Sequence, residues 1–278
     1  MLLGFSSEYA LEQGLGGGSA ELLNRTVREF STFLGHDAGF DDLQDGKVNQ
    51  WLSTFDGRRK QVTIANKRRQ LLTIWRAAFA RGMVDRMPNR VRRFRLPEEV
   101  PRAWTLHEIQ SLRLAAKRLP GSFKKNGIKR ADWMVAFVDF EWDTALRLGD
   151  TLAVDKSHLW PGNYLVIVQR KTGRQHRCQL SDRTMESLRR LDYQNRDRLF
   201  PLWSDRWAFY KLFRALKASA GLPHGSSKWL RRSSATYVEK RQPGAAMRHL
   251  GHRTPGLAYK HYVDPWICQE ELVRPPEI

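Results

Sequence analysis

The chain is short of cysteine, of long apolar runs and, over one stretch, of acidic residues. Only two of its 278 residues are cysteine. Cys178 and Cys268 lie far apart in sequence and outside any Cys/His spacing typical of zinc, which argues against a disulfide framework or a structural zinc site. A reducing compartment is the simpler reading. No apolar run reaches the roughly 18 residues of a membrane-span candidate, so no membrane association is expected. The opening Met1-Leu2-Leu3-Gly4-Phe5 lacks the basic region and long apolar core of a secretory signal. Between residues 57 and 95 a single acid, Asp85, faces thirteen Lys and Arg. Such polarity exceeds what a general solubility device needs.

What is present is mostly basic and globular. The chain has 48 Lys and Arg against 29 Asp and Glu, a formal net charge of +19, which favours a polyanionic partner, most commonly nucleic acid. Residues 1–56 run the other way, with three basic residues against nine acidic ones. Ten Trp and thirteen Phe suffice for substantial cores.

Apolar spacing predicts a mostly α (α+β) chain. Residues 1–19 read as a flexible leader ending in a glycine run. Helices are expected at 20–34, 47–55 and 61–81, making a small helical domain over 20–96. Prolines 88, 97 and 101 among several arginines read as an extended linker over 83–103, the interdomain link proper being 97–103. Thr105 with Glu108 forms a capping-box signature. Helices follow at 105–118 and 128–145. Short strands are expected at Leu159-Trp160, Tyr164–Val168 and His176–Leu180, with Lys171–Arg174 as a turn. Helices resume at 182–192, 204–219, 227–241, 243–250 and 255–263. The second domain is thus 104–278, mixed, with a small antiparallel sheet. The two domains would form a C-shaped clamp.

Six residues of the second half carry the chemistry. Arg147 lies in Thr144-Ala145-Leu146-Arg147, with Asp150 three positions on. Lys171 sits in the turn Arg170-Lys171-Thr172-Gly173. Lys228 and Arg231 belong to Lys228-Trp229-Leu230-Arg231-Arg232. His252 closes Leu250-Gly251-His252, and Tyr262 closes Lys260-His261-Tyr262. Cations that grip non-bridging oxygens, together with a phenol nucleophile, suit attack on a phosphodiester.

The order and local context of these residues resemble the tyrosine recombinase (phage integrase) family. The likeness runs from about residue 20 to 265, its specific part being 144–262. It implies catalytic roles for Arg147, Lys171, Lys228, Arg231, His252 and Tyr262. Lys171 matches the general-acid lysine of a β-hairpin. Arg231 matches the arginine of a His-x-x-Arg box whose first His is replaced by Lys228. His224, one turn upstream, is a lesser candidate to share that role. The family commonly places its tyrosine nine positions after the His. His261 occupies that place here, and Tyr262 is preferred over Tyr259 as the nucleophile.

The resemblance further implies a site-specific DNA recombinase that forms a 3′-phosphotyrosyl intermediate, with no cofactor and no metal. Its partners would be double-stranded DNA and copies of itself, as a tetramer on synapsed sites. Residues 264–278 would be exchanged between neighbours, and the location would be cytoplasmic, on the nucleoid. Arg58, Arg59, Lys60, Lys67, Arg68, Arg69, Arg92, Arg93 and Arg232 are the expected DNA contacts. The alternatives are a type IB topoisomerase-like enzyme and a DNA-binding protein whose catalysis has decayed.

Overall fold

A computed structural model describes residues 1–123, 127–191, 197–201 and 206–268. The chain divides into two compact units, residues 1–98 and 99–278. No described helix is long and apolar enough to cross a membrane.

The first unit is built from α1 (Leu2–Glu12), α2 (Gly17–Leu34), α3 (Asp45–Ser53) and α4 (Gln61–Ala80). On α2 the residues Leu23, Val27 and Phe30 recur at helical spacing and are buried. They meet Trp51 and Leu52 of α3 and Ile64, Leu71, Leu72 and Trp75 of α4 in one core.

Two expectations fail here. The leader is not free: α1 buries Leu2, Phe5 and Ala10, and the Leu2 N–H donates to the Ala38 carbonyl at 2.9 Å. Arg81 pairs with Glu8 and Glu12 and lies over the Phe5 ring at 4.9 Å. The glycine run that suggested flexibility forms only the corner and the first turn of α2. The extended linker also starts later than residue 83. Val91 is buried in the helical core, Asp45 accepts from the Asn89 and Arg90 N–H groups, and Asn49 bonds to the backbone of Arg90 and Arg92. The far end is held too, since the Trp104 N–H donates to Ser233 at 2.8 Å and the Ala103 N–H to Asp264 at 2.9 Å.

In the second unit, Thr105 and Glu108 form the capping box that the sequence predicts and start α5 (Leu106–Lys117). Next comes α6 (Arg130–Thr144), buried along most of its length as its near-continuous apolar run requires. Ala145 ends α6 in the left-handed conformation (φ 46°), and Arg147 caps the short α7 (Leu148–Thr151). The sheet β1 (Leu159–Trp160), β2 (Tyr164–Gln169) and β3 (Arg174–Gln179) is antiparallel in that order, with Gln169 opposite Arg174. Residues 170–173 make its turn, helped by Gly173 at φ +64°.

The chain then runs through α8 (Asp182–Arg189), α9 (Arg206–Ser219), α10 (Ser227–Arg241), α11 (Ala245–Leu250), α12 (Pro255–His261) and α13 (Pro265–Cys268). The expected starts at 204 and ends at 192 and 278 lie outside the described residues. A small-residue cluster of Ala145, Ala235, Ala246, Leu250, Ala258 and Val263 lets the end of α6 and helices α10, α11 and α12 approach closely. Within this chain Cys268 of α13 donates to the Thr236 carbonyl of α10 at 3.4 Å, and residues 269–278 of the segment expected to pass to a neighbour lie outside the described residues.

The docking of α1 is directly measurable. Truncating Phe5→Ala should destabilise the protein by about 3 kcal/mol, the low end for a buried Phe because a terminal helix can relax. Urea unfolding reads this, and a free leader would leave the midpoint unchanged.

Candidate functional site

The site gathers where four chain turns meet beside α10. Arg231 is 3% exposed. Its Nη1 donates to the Ala145 carbonyl, and its Nη2 donates to the Leu250 carbonyl at 3.1 Å and lies 3.4 Å from His252 Nε2. Its guanidinium carbon is 4.9 Å from the centre of the Tyr262 ring. The His252 and Tyr262 rings meet edge to face, with centroids 5.0 Å apart. Arg147 donates to Gln169 Oε1 at 2.9 Å and stands 3.9 Å from Asp150 Oδ2. Arg147, Arg231, His252 and Tyr262 are therefore brought together.

Local sequence explains each placement. Arg147 follows the reversal at Ala145. Gly251 turns α11 into His252 at φ +67°, and a Cβ there would meet Gln169 Nε2 at 2.8 Å. Pro255 starts α12 at its first turn, where a missing N–H is harmless, and Tyr262 caps the other end.

Lys171 and Lys228 stand apart from this cluster. Both are exposed, Lys171 at the hairpin tip and Lys228 one turn before Arg231 on α10. Among the described residues neither makes a side-chain hydrogen bond or ion pair. The rival tyrosine is engaged elsewhere: Tyr259 donates its hydroxyl to Glu239, which also accepts from the Gly244 and Ala246 N–H groups at 2.6 and 2.9 Å.

Electrostatics around the cluster are distinctive. Burial, reinforced by Arg231 and Arg147, holds the His252 pKa down at about 4, so the ring is neutral at neutral pH. Burial likewise lowers Arg231, and Arg147 adds repulsion, yet a guanidinium stays charged. Beneath them Glu141 of α6 is 2% exposed and accepts from the Thr151 hydroxyl. Burial pushes its carboxyl up to about 8, against the pull of Arg231. Among the described residues, Arg231 Nε and His252 Nδ1 are buried without a hydrogen-bond partner.

Sequence reasoning missed Gln169, Glu141, His176 and Glu239. Gln169 carried a signal, since strand alternation puts it on the buried face with Leu165 and Ile167. Glu141 is a buried polar residue within an apolar stretch and carried a weaker one, whereas His176 lies among polar residues of β3 and carried none.

The basic residues expected on DNA fare unevenly. Arg58, Arg59, Lys60, Arg69 and Arg93 are exposed. Lys67 is already paired with Glu29 of α2, its side chain only 12% exposed. Arg92 makes two bonds to Asp56, at 2.7 and 2.6 Å, and lies over the Phe94 ring. Both are largely neutralised, because acids of the N-terminal segment fold back onto them. Arg68 donates to the Val91 carbonyl at 3.2 Å and is flanked by Arg76 and Arg93. Arg232 donates to the His261 carbonyl at 3.1 Å.

Glu141 gives a pH test. Its folded pKa lies above the usual 4.5, so the neutral form favours folding below that value and the advantage is lost as pH rises through about 8. Glu141→Gln should therefore melt close to wild type at pH 4.5 and progressively higher than wild type up to pH 8. A melting difference that stays flat with pH would contradict the assignment.

No family model and no curated protein matches the chain by sequence. Solved structures do match. A lambda integrase dimer bound to a COC′ core site is 18% identical, with a TM-score of 0.77 over 99% of this chain and 79% of that one. XerH site-specific recombinase bound to a palindromic difH substrate is 14% identical, with a TM-score of 0.69 over 89% of this chain and 77% of that one. The Tn1549 transposon integrase in complex with circular intermediate DNA is 12% identical, with a TM-score of 0.67 over 94% of each chain. At these identities the likeness is one of fold, shared with these integrase and recombinase structures.

Proposed function

We propose that this chain is a site-specific DNA recombinase that cuts and rejoins strands through Tyr262. The observation that carries the reading is the convergence of Arg231 and His252 on the Tyr262 ring, with the charge of Arg147 acting on both, while Tyr259 is tied to Glu239. Two guanidinia that repel one another need an anion between them, and a phosphodiester has the charge and the paired oxygens to fit.

In the proposed reaction the Tyr262 oxygen attacks the scissile phosphorus. Burial keeps His252 neutral and the two arginines add to this, a bound phosphate offsets the arginines, and the neutral imidazole then takes the phenol proton. Arg147, Arg231 and Lys228 stabilise the charge that builds on the non-bridging oxygens. Lys171, on its exposed hairpin, reaches the 5′ oxygen and protonates it as it leaves. The products are a 3′-phosphotyrosyl link and a 5′-hydroxyl, and attack by a hydroxyl from a partner strand reverses the step. Lys228 at the usual histidine place keeps a cation and gives up easy proton exchange. One of the solved structures of this fold is a lambda integrase tetramer bound to a Holliday junction. A tetramer on synapsed sites is proposed here on that basis.

Suicide DNA substrates test the nucleophile. Tyr262→Phe should bind DNA and give no covalent complex, whereas Tyr259→Phe should still give one. The opposite pattern would move the nucleophile to Tyr259 and undo the reading of the site.

Salt dependence tests the binding surface. Replacing Arg58, Arg59 and Lys60 by Gln should flatten the log–log salt slope by about 2–3, at roughly 0.9 per phosphate. Lys67→Gln should leave the slope nearly unchanged, since Glu29 already neutralises that residue. Equal effects would show that the Lys67–Glu29 pair opens on DNA.

A further inference from the structure

Gln169 ends β2 and is fully buried, yet its side chain is shared among three segments of the site. Its Oε1 accepts from Arg147 Nη1 at 2.9 Å and from the Thr172 hydroxyl at 3.2 Å. Its Nε2 donates to the Leu250 carbonyl at 3.2 Å. The amide also lies against Gly251, where a Cβ would come within 2.8 Å of Nε2 and 3.3 Å of Cδ. One primary amide thus touches the arginine turn, the hairpin that carries Lys171 and the corner that presents His252.

The chemistry of the group matters. Asp150 is 3.9 Å from Arg147, beyond hydrogen-bond length, so Gln169 is the close acceptor that fixes the guanidinium plane. A carboxylate in this place would hold Arg147 but cancel its charge and face the Leu250 carbonyl with a second acceptor. A hydrocarbon would leave Arg147 free to rotate. A neutral amide orients the cation and leaves its charge for a ligand. It also donates to Leu250, whose carbonyl accepts from Arg231 as well. The two arginines are therefore held in register through neighbouring polar atoms.

We propose that Gln169 is a positioning residue, which sets the plane of Arg147 and its distance from His252 without neutralising Arg147. The proposal rests on the strand-transfer reading above.

The experiment is a double-mutant cycle on covalent complex formation at saturating DNA, with DNA affinity and melting measured in parallel. Gln169→Met should leave affinity near wild type and slow adduct formation about 10–100-fold, the usual size when the partner that orients a liganding group is removed. In the Arg147→Lys background, which keeps a charge but has no plane to orient, the same change should cost less than about threefold. Losses that simply multiply would show that Gln169 acts independently of Arg147 and would overturn the proposal, as would a Gln169→Met protein that cleaves at the wild-type rate. Should Gln169→Met lose its melting transition, Gln169→Asn takes its place, polar but too short to span Arg147 and Leu250, with the same pattern expected. A folded wild-type chain that binds DNA and forms no adduct would remove the strand-transfer reading and this proposal with it. A wild type that cleaves alongside an unaffected Gln169→Met removes this proposal alone.

Discussion

The site depends on how one buried charge is held. Arg231 is almost fully enclosed, and an enclosed guanidinium is costly unless its donors are met. Here carbonyls, not a carboxylate, meet the two Nη groups. Ala145 is the residue that caps the C-terminus of α6, and Leu250 is the last residue of α11. Carbonyls at helix C-termini carry partial negative charge and have no partner within their helix. They stabilise Arg231 without cancelling it. The same bonds tie the turn before Arg147 and the corner before His252 to α10, so three of the functional segments share one anchor.

That arrangement settles the charge balance around Tyr262. Glu141 lies below Arg231, but burial keeps its carboxyl protonated near neutral pH. His252 is neutral for the same reason, with the two arginines adding to the effect. Asp150 approaches Arg147 only at 3.9 Å, and its Oδ1 accepts from the Arg170 N–H. The cluster therefore carries excess positive charge in a partly desolvated place. Of its acids, Glu141 is neutral and Asp150 faces Arg147 alone, so Arg231 keeps its charge there, a condition that favours binding of a phosphodiester. Ala145 contributes as well. A non-glycine residue in the left-handed region is strained, and here the strained turn directs its carbonyl at Arg231.

Much of this was legible in the chain. The helical periods of residues 20–34 and 61–81, the Thr105 capping box and the alternation in Tyr164–Val168 each follow from local chemistry, and local chemistry decides those elements. The leader was misread because Gly14 to Gly18 dominated the reading, while Leu2, Phe5 and Tyr9 already had the spacing of an inward helix face. The pairing of the basic residues lies beyond the sequence for a different reason. Lys67 and Arg92 sit in a run of cations, and their partners Glu29 and Asp56 are 38 and 36 positions away, so only the folded chain brings them together. Gln169 shows the same limit. Its inward parity could be read from β2, but Arg147 and Leu250, 22 and 81 positions distant, could not be named as its partners.

The ten-residue step from His252 to Tyr262 has its explanation in the register of α12. Ala258 is the anchor, 1% exposed and packed with Ala235 and Ala246. A residue four positions on returns to the same side of a helix, and Tyr262 does so, its N–H donating to the Ala258 carbonyl at 2.8 Å. A residue one position on is rotated by about 100°, which turns Tyr259 toward Glu239 of α10. His261, nine positions after His252, falls on the exposed side. The constraint on the tyrosine is thus its distance from the buried alanine. Count from the histidine is a proxy that holds only while the loop before the helix keeps one length. The loop Arg253-Thr254 followed by Pro255 sets that length here. The proline fixes where the helix starts, the alanine fixes which way it faces, and the phenol arrives beside Arg231 as a result of both.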